Sequence, residues 1–255
     1  MKILIFSNAY GNLDLVNQIL DQTDVSMAFS LGDLVLASES SPLDKLIREK
    51  YRNYAMTCIE WNKQSKFFQK PVFALFGSMD DPFIPLNELN IKNLFPVWNG
   101  TNKYSAFSKL DKKTKVVTIG TLGGYYNIHN FRYNNSKRSN FCREKKTLSL
   151  CVNDFEEFKN RSLDILLSYE SPIGYPINGI GCPNILSLIK TTNCKLSIFV
   201  HHRVTKIFSE TYEQKLISLG KLENVYIIAD IYNNIINIYF HDKLKIINTK
   251  EVVYG

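Results

Sequence analysis

The sequence predicts a layered α/β fold, because short apolar strands alternate with helical segments and end in turns rich in glycine, asparagine and aspartate. The opening segment sets this pattern. The apolar run Lys2–Phe6 enters a turn at Gly11, and apolar residues then recur at helical spacing from Leu13 to Leu20. The 255 residues, of which 45% are hydrophobic, suffice for a substantial core. We therefore expect a single domain over residues 1–255.

The remaining elements follow in order along the chain. Strands are predicted at residues 25–31, 71–76, 115–119, 163–168, 196–200, 225–230 and 235–240. Helices are predicted at residues 42–66, as one helix or two, and at 153–161 and 183–190. Asn233 and Asn234 separate the last two strands, and asparagine tolerates the positive φ angles of a tight hairpin. Residues 83–115 show a less regular pattern.

The composition argues against several classes of protein. No apolar stretch reaches the ~20 residues of a membrane span, and the start lacks a basic segment followed by a long apolar run. We expect no membrane span and a cytoplasmic protein, or one of an organelle stroma or matrix if it is organelle-encoded. The five cysteines form no C-x-x-C pair, which favours reduced, buried thiols over a disulfide framework or a zinc knuckle.

Residues 125–150 are interpreted as an insertion rich in basic and aromatic side chains. A solvated loop is one interpretation of this segment. The other is a surface that binds an acidic or nucleic-acid partner, because aromatic rings stack on bases while arginine and lysine contact phosphates. The net charge of +7 permits such a partner, although lysine is spread along the whole chain. The candidate contacts are Arg132, Lys137, Arg138 and Arg143.

The turn after the first strand is a candidate site, because α/β proteins bind ligands at the carboxyl ends of their strands. Residues 7–11 of this turn are Ser, Asn, Ala, Tyr and Gly. None of these side chains is charged, and none is a strong metal ligand. That absence is the main sequence clue to function.

Five turn motifs stand in the order found in the calcineurin-like metallophosphoesterases, which the chain resembles over about residues 1–245. The family has D-x-H, G-D-x-x-D, G-N-H-[DE], L-x-H-x-P and G-H-x-H after successive strands. The matching segments here are 7–12 (SNAYGN), 31–35 (LGDLV), 76–80 (FGSMD), 167–172 (LSYESP) and 199–203 (FVHHR). The resemblance implies two mixed β-sheets packed face to face and flanked by helices, a four-layer sandwich with two metal ions at the loop ends.

Most metal ligands implied by the resemblance are missing. Of seven matched ligand positions, only Asp33, the bridging acid, and His201 keep a suitable side chain. The first ion would take ligands at Asn8, Tyr10, Asp33 and Arg203, and the second at Asp33, Ser78, Tyr169 and His201. Met79 replaces the histidine that stabilises the leaving group in the family, and methionine can neither donate a proton nor carry charge.

Arg203 permits two interpretations. Its guanidinium could neutralise Asp33 in a site without metal. Alternatively, it could act as a substitute cation and bind a phosphate group through two hydrogen bonds. A residual site for a single ion at Asp33 and His201 is a third possibility for this region.

Three functional hypotheses follow. The first is a catalytically inactive protein of this fold that serves as a binding or scaffold subunit of a larger assembly, with a protein partner and no metal or cofactor. The second is a metal-dependent phosphoesterase with a reduced site around Asp33, Asp80 and His201, using a single Mn, Zn or Fe ion. The third is a nucleic-acid-associated subunit that binds through residues 125–150. The first is our principal hypothesis, because acid, histidine and asparagine ligands are lost together from separate loops.

Overall fold

The computed structural model describes residues 1–43, 49, 52–107, 114–131, 148–209, 214–232, 235–242 and 245–253. Its strands are β1 (Lys2–Phe6), β2 (Met27–Ser30), β3 (Phe67–Leu75), β4 (Lys92–Val97), β5 (Gly100–Phe107), β6 (Thr114–Leu122), β7 (Ile165–Ser168), β8 (Leu196–Phe199), β9 (Lys206–Ser209), β10 (Lys215–Ser218), β11 (Val225–Tyr232), β12 (Ile235–Asp242) and β13 (Lys245–Val253). Its helices are α1 (Leu13–Gln22), α2 (Arg52–Lys63), α3 (Ile128–Phe131) and α4 (Pro183–Thr191), with 3₁₀ helices at Leu86–Glu88 and Val152–Phe158.

The strands form two mixed β-sheets. The first has seven strands in the order β13-β12-β11-β1-β2-β3-β4, and the second has six in the order β5-β6-β7-β8-β10-β9. In the first sheet β1 to β4 run parallel, while β11 pairs antiparallel with β1. In the second, β6, β7, β8 and β10 run parallel and the edge strands β5 and β9 are antiparallel. The carboxyl ends of several parallel strands therefore converge in each sheet.

The two sheets face each other across a continuous apolar core. Ile5 and Phe29 of the first sheet belong to the same buried cluster as Ile119, Leu167 and Ile198 of the second. This packing confirms the four-layer sandwich implied by the turn motifs.

Helices cover the outer face of each sheet. Val16 of α1 and Trp61 of α2 pack with Phe6 of the first sheet, whereas Ile185 of α4 packs with Phe199 of the second. Strands such as β7 are buried along their whole length and are uniformly apolar up to the final serine, because both of their faces are covered.

Local sequence explains how the helices begin. Asn12 caps α1, where its side-chain oxygen accepts a hydrogen bond from the Leu15 N–H at 3.2 Å. Pro183 opens α4 at a position where a backbone N–H has no intrahelical partner. Both caps follow a turn at the site edge of the sheets, so they fix the direction in which the chain leaves that edge.

The helix predicted at 153–161 is present, but it is a shorter 3₁₀ helix, Val152–Phe158. Phe158 is buried and Phe155 is partly buried in the same cluster. Residues three apart are eclipsed in a 3₁₀ helix, so this spacing places both rings on one face. The Cys151 N–H also donates to the Asp154 carboxylate at 2.8 Å, which closes the first turn.

Several strands were not predicted. Residues 83–115 contain β4 and β5, which lie at the edges of different sheets, and β9, β10 and β13 are further additions. Edge strands carry weaker signals, because one side needs no backbone partner. Pro96 in β4 is an example, since proline is tolerated on a sheet edge.

Other predictions fall partly on residues that the structure describes. Within 42–66 the helix α2 is observed, while residues 44–48 and 50–51 lie outside the described residues. The hairpin between β11 and β12 is confirmed, because Tyr232 pairs with Ile235. None of the described helices is long and apolar enough to cross a membrane.

Candidate functional site

The candidate site lies where the carboxyl ends of β1, β2, β3, β7 and β8 meet, and its loops contain all five turn motifs. Backbone hydrogen bonds join the first two loops: the Asn8 N–H donates to the Gly32 carbonyl at 3.1 Å, and the Tyr10 N–H donates to the Asp33 carbonyl at 3.1 Å. The structure thus brings together the loops that the sequence predicts at this edge.

Left-handed backbone conformations are concentrated in these loops. Six non-glycine residues have φ between 48° and 81°: Asn8, Tyr10, Asp33, Val35, His201 and Arg203. Such conformations cost of order 1–3 kcal/mol each and persist only where the surrounding contacts enforce them. The backbone of the loops therefore keeps a shape that is unfavourable for the side chains it now carries.

Asp80 is a structural centre of the site. Its Oδ2 accepts hydrogen bonds from the N–H groups of Gly77 at 2.6 Å and Asp33 at 2.9 Å, and its Oδ1 accepts from Leu36 at 2.8 Å. Burial, together with the nearby Asp33 charge, raises the pKa of Asp80 to about 7. Gly77 lies in the loop after β3, and Asp33 and Leu36 lie in the loop after β2. The Asp80 carboxylate therefore joins these two loops.

Tyr169 occupies the middle of the site. Its hydroxyl lies 3.1 Å from Asp33 Oδ2 and 2.9 Å from Ser78 Oγ. Asp33 Oδ1 accepts further hydrogen bonds from the Met79 N–H at 3.0 Å and the Ser78 hydroxyl at 3.3 Å. Burial raises the pKa of Asp33 above its ordinary value, and these hydrogen bonds partly offset that rise.

Two glycines make room for the Tyr169 ring. A Cβ at Gly32 would lie 2.5 Å from Tyr169 Cδ2, and a Cβ at Gly77 would lie 2.7 Å from Tyr169 Cε2. Gly32 also has φ +108°, which glycine adopts without strain. A side chain at either position would therefore collide with the Tyr169 ring, and at Gly77 it would also collide with Asp33.

The positions of the first family ion are occupied by an uncharged network. The Tyr10 hydroxyl donates to Asn8 Oδ1 at 3.2 Å, and Asn8 Nδ2 donates to Ser7 Oγ at 3.1 Å. Ser7 in turn donates to the Gly220 carbonyl at 2.7 Å. Asn8 is thus held by its neighbours, and its one acceptor oxygen already binds a hydroxyl group.

The structure places Arg203 against Tyr10. The Arg203 guanidinium lies 5.1 Å from the centre of the Tyr10 ring. Lys221 lies 5.6 Å from the same ring. The Tyr169 hydroxyl and the Met79 amide satisfy Asp33, while the Tyr10 ring offers the cation a π face.

His201 does not bind Asp33 but pairs with Glu170, which is not among the predicted site residues. His201 Nδ1 lies 2.9 Å from Glu170 Oε1. Burial disfavours both charges, but the mutual interaction outweighs it, so the pKa of His201 is raised and that of Glu170 is lowered. Asp33 adds to the rise at His201, and Arg203 opposes it. The His201–Glu170 pair lies at the rim of the site.

His202 completes this rim and was also missed. Its Nε2 lies 3.1 Å from Ser171 Oγ, and its ring stacks on His201 at 4.9 Å between centres. His201 stacks in turn on Tyr169 at 5.3 Å. Burial, and then the charge of His201, lowers the pKa of His202. One ligand atom from each of Glu170, His201 and His202 lies within 4.8 Å of the others.

The missed residues left a signal in the sequence. Glu170 lies two residues after the end of the apolar strand β7, and His202 lies between two matched positions of the last motif. An acid or histidine at the end of a buried strand is a site candidate whether or not a family motif includes it. The motif comparison drew attention to Tyr169, His201 and Arg203 instead.

The donors at the family positions do not fit a pair of divalent ions. Asp33 Oδ2 and Asn8 Oδ1 bind the hydroxyls of Tyr169 and Tyr10. Neither a tyrosine hydroxyl nor an arginine is a ligand of the type such ions prefer. No reaction step can be built on two metal ions at these residues.

The candidate anion-binding residues Arg132, Lys137, Arg138 and Arg143 lie outside the described residues. The described ends of the 125–150 segment are joined, since the Tyr125 N–H donates to the Leu148 carbonyl at 3.0 Å and the Leu150 N–H donates to the Tyr125 carbonyl at 2.9 Å. Tyr125 therefore lies beside residues 148–150.

Comparisons with known proteins support the fold. No protein-family model and no curated protein sequence matches the chain. Solved structures do match it. The dimetal phosphatase from Danio rerio has a TM-score of 0.59 at 10% identity, with 100% of this chain and 99% of that chain covered.

Two further solved structures share the architecture. GAP50, described as the anchor in the inner membrane complex of Plasmodium, has a TM-score of 0.59 at 12% identity, with coverage of 100% of this chain and 89% of that chain. TT1561 of Thermus thermophilus has a TM-score of 0.52 at 14% identity, with coverage of 94% of this chain and 98% of that chain. These likenesses, together with the two mixed sheets and the order of the turn motifs, show that the chain has the calcineurin-like metallophosphoesterase fold.

Proposed function

We propose that this protein does not hydrolyse phosphate esters and instead binds a protein partner as a scaffold subunit of a larger assembly. The observation that carries the proposal is the position of the Tyr169 hydroxyl, 3.1 Å from Asp33 Oδ2 and 2.9 Å from Ser78 Oγ. These two side chains occupy positions that hold the second metal ion in the family. A phenol group bonds to them here.

The chemistry of the missing side chains supports the loss of catalysis. In this fold a metal pair lowers the pKa of the attacking water and neutralises charge on the phosphate oxygens. Met79 cannot donate a proton to a leaving group. Arg203 places a positive charge close to where the first ion would need ligands, which opposes metal binding at short range.

A binding role fits the range of proteins that share this fold. GAP50 is described as an anchor, whereas the Danio rerio protein is described as a dimetal phosphatase. The architecture thus occurs in proteins with either description, and we propose a binding role for this chain because of the side chains at its own strand ends.

A surface depression of about 530 Å³ is the partner site we propose. Its lining includes Phe95 and Trp98, which are 46% and 57% exposed, with Glu157 and Arg161 beside them. Protein interfaces are enriched in aromatic residues and arginine, and a few such residues carry most of the binding energy. The depression lies beside β4 and β5, at the edges of the two sheets. We propose that its occupant is a protein segment with apolar side chains.

The proposed setting is the cytoplasm or the interior of an organelle. Four cysteines in the described part of the chain, Cys58, Cys151, Cys182 and Cys194, are buried and form no disulfide with one another. Burial raises the pKa of Cys58, Cys182 and Cys194 to about 12, which keeps them as unreactive thiols. Free thiols of this kind are typical of a reducing compartment.

The test of catalysis is a hydrolysis assay with generic phosphomonoester and phosphodiester substrates in the presence of Mn²⁺ or Zn²⁺. The Danio rerio phosphatase serves as the active control, and Asp33→Asn as the matched variant. We expect the protein and the variant to give the same rate as metal alone. Metal-dependent turnover that disappears in Asp33→Asn would overturn the proposal.

The test of the partner surface compares two substitutions of exposed aromatic residues. Trp98→Ala removes a side chain from the depression, whereas Phe67→Ala removes one that is 51% exposed but does not line it. We expect photo-crosslinking in cells to give a protein adduct that Trp98→Ala loses and Phe67→Ala keeps. Loss of the adduct in both variants or in neither would contradict this surface.

A further inference from the structure

We propose that Glu170, His201 and His202 form a site for a single divalent transition-metal ion, with zinc as its representative. This inference goes beyond the proposed function, which concerns the two-metal positions and a partner surface. It replaces the expectation from sequence that no metal is bound. The site shares only His201 with the family positions.

The donor set has the chemistry of a transition-metal site. Two imidazoles and one carboxylate are the ligands found in zinc sites with three protein ligands. A tetrahedral ion about 2.1 Å from each ligand holds the ligand atoms about 3.4 Å apart. The three ligand atoms here lie within 4.8 Å of one another, and His201 Nδ1 lies 2.9 Å from Glu170 Oε1. The more widely separated ligand atoms therefore have to move closer together when an ion binds.

The carboxylate is held in place before any ion binds. Glu170 is 2% exposed, and its Oε2 accepts a hydrogen bond from the Tyr126 N–H at 2.8 Å. Its Oε1 accepts from the Ser171 N–H at 2.9 Å. These donors orient the carboxylate toward the histidines, as outer hydrogen bonds orient the ligands of known metal sites.

The histidine rings are also restrained. His201 is stacked between Tyr169 and His202, with ring centres 5.3 Å and 4.9 Å away. The His201 backbone has φ +81°, a conformation that its loop enforces. Ordering these rings therefore costs little further entropy when an ion binds.

The site is open on one side. The His201 side chain is 34% exposed, and His202 is half-buried. Three protein ligands leave at least one coordination position for water or for a donor from a bound partner. The site thus has the form of a centre that can exchange its outer ligand.

The surrounding charges balance in favour of a cation. The negative charge of Asp33 raises the pKa of His201, and the positive charge of Arg203 lowers it by less. The two charges together therefore favour a positive charge at His201. Glu170 adds a negative charge within the donor set itself. Tyr169 bonds to Asp33, so an ion at the histidines would not use Asp33 as a ligand.

The test is a zinc titration of the full-length protein against a chromophoric chelator, with visible absorption of bound Co²⁺ as a second readout. All proteins carry Cys142→Ser, since a thiol elsewhere on the chain can also bind zinc. We expect one zinc ion per chain at micromolar or tighter affinity. We expect Glu170→Gln and His202→Asn each to weaken binding by about tenfold or more, while Asp33→Asn, which removes a neighbouring charge but no ligand, weakens it far less.

Two outcomes would overturn the assignment. A protein that binds no stoichiometric zinc lacks the site, and binding that survives His202→Asn but is lost in Asp33→Asn places the ion at the family position. Circular dichroism of each variant shows whether a loss of binding reflects a loss of folding. Asp33→Asn keeps an acceptor oxygen for the Met79 N–H, so we expect it to remain folded. Zinc bound at Glu170 together with phosphate-ester hydrolysis would support this site and overturn the proposed function.

Discussion

The Tyr169 hydroxyl lies 3.1 Å from Asp33 Oδ2, so a buried carboxylate that would bridge two metal ions is held by a phenol group. We predict that Tyr169→Phe destabilises the protein by about 1–3 kcal/mol, because it leaves a buried acceptor without its donor. Urea unfolding measures this change. Tyr125→Phe, at a half-buried tyrosine outside the five turn motifs, is the matched control and should change stability by less than about 0.5 kcal/mol. Equal effects of the two substitutions would contradict the role of the hydroxyl.

A second prediction concerns the glycine beneath the Tyr169 ring. A Cβ at Gly77 would lie 2.5 Å from both the backbone nitrogen and Oδ1 of Asp33. We predict that Gly77→Ala costs more than about 3 kcal/mol or prevents folding, because backbone and ring cannot both move. Gly174→Ala is the contrast: Gly174 has φ +87°, but a Cβ there meets nothing within 4 Å. We expect that variant to lose only about 1–2 kcal/mol, the cost of the left-handed conformation. Thermal unfolding measures the stability of both variants. A larger loss of stability in Gly174→Ala than in Gly77→Ala would refute the prediction.

The third prediction is a pH dependence that belongs to Asp80. Burial raises the pKa of Asp80 to about 7 in the folded protein, while in the unfolded chain its pKa has the ordinary value of 3.8. Between these pH values the folded state keeps a proton that the unfolded state has released. The contribution of Asp80 to the free energy of unfolding therefore falls as pH rises from about 4 to about 7, by on the order of 3 kcal/mol.

Asp80→Asn isolates this contribution. Asparagine does not titrate, so the stability difference between the protein and the variant should shrink as pH rises through that window. Glu170 acts with the opposite sign, because its lowered pKa gives stability that is lost on acidification. Glu170 is present in both proteins, and its contribution therefore cancels in the difference. Urea unfolding at about pH 4, 5, 6 and 7, which spans the window between the two pKa values, gives the difference in unfolding free energy between the protein and the variant at each pH. A difference that stays constant with pH would disprove the assignment to Asp80.

The site edge was predictable because its strands are buried and its turns are short. Apolar runs such as Lys2–Phe6 and Leu196–Phe199 end in turns with glycine or histidine, and parallel strands must bring these ends together. The order of the turns gave the two sheets as well. Edge strands such as β4 and β9 were missed, because half of their backbone groups need no partner and their sequences need not be apolar.

The partners within the site could not be read from the sequence. Glu170 is held by the Tyr126 amide and by His201, which are 44 and 31 residues away along the chain. The sequence alone permits Arg203 to face either Asp33 or the Tyr10 ring. In the folded chain the Tyr169 hydroxyl bonds to Asp33, and Arg203 packs on the Tyr10 ring. Motif matching also assigns importance to positions where the family has ligands. It passes over Glu170 and His202, where the family has none.

The last prediction tests whether the fold could still hold two ions if the side chains were restored. The variant carries Asn8→Asp, Tyr10→His, Ser78→Asn, Tyr169→His and Arg203→His, while Asp33 and His201 stay. The loops already have the positive φ angles and the backbone hydrogen bonds between residues 8–11 and 32–34. We therefore expect the variant to bind Mn²⁺ and to be stabilised by about 2.7 kcal/mol at an ion concentration about one hundred times the dissociation constant.

Thermal unfolding with and without Mn²⁺ measures this stabilisation. The unmodified protein is the control for binding at the family positions, and a variant with all changes plus Asp33→Asn tests the bridging acid. If the restored variant gains no stability from Mn²⁺ although circular dichroism shows it folded, the loops themselves have changed shape. In that case the loss of two-metal chemistry would lie in the backbone and not in the side chains alone. Stabilisation that requires Asp33 would locate the loss in the five substituted side chains, since the backbone that positions them would then be competent.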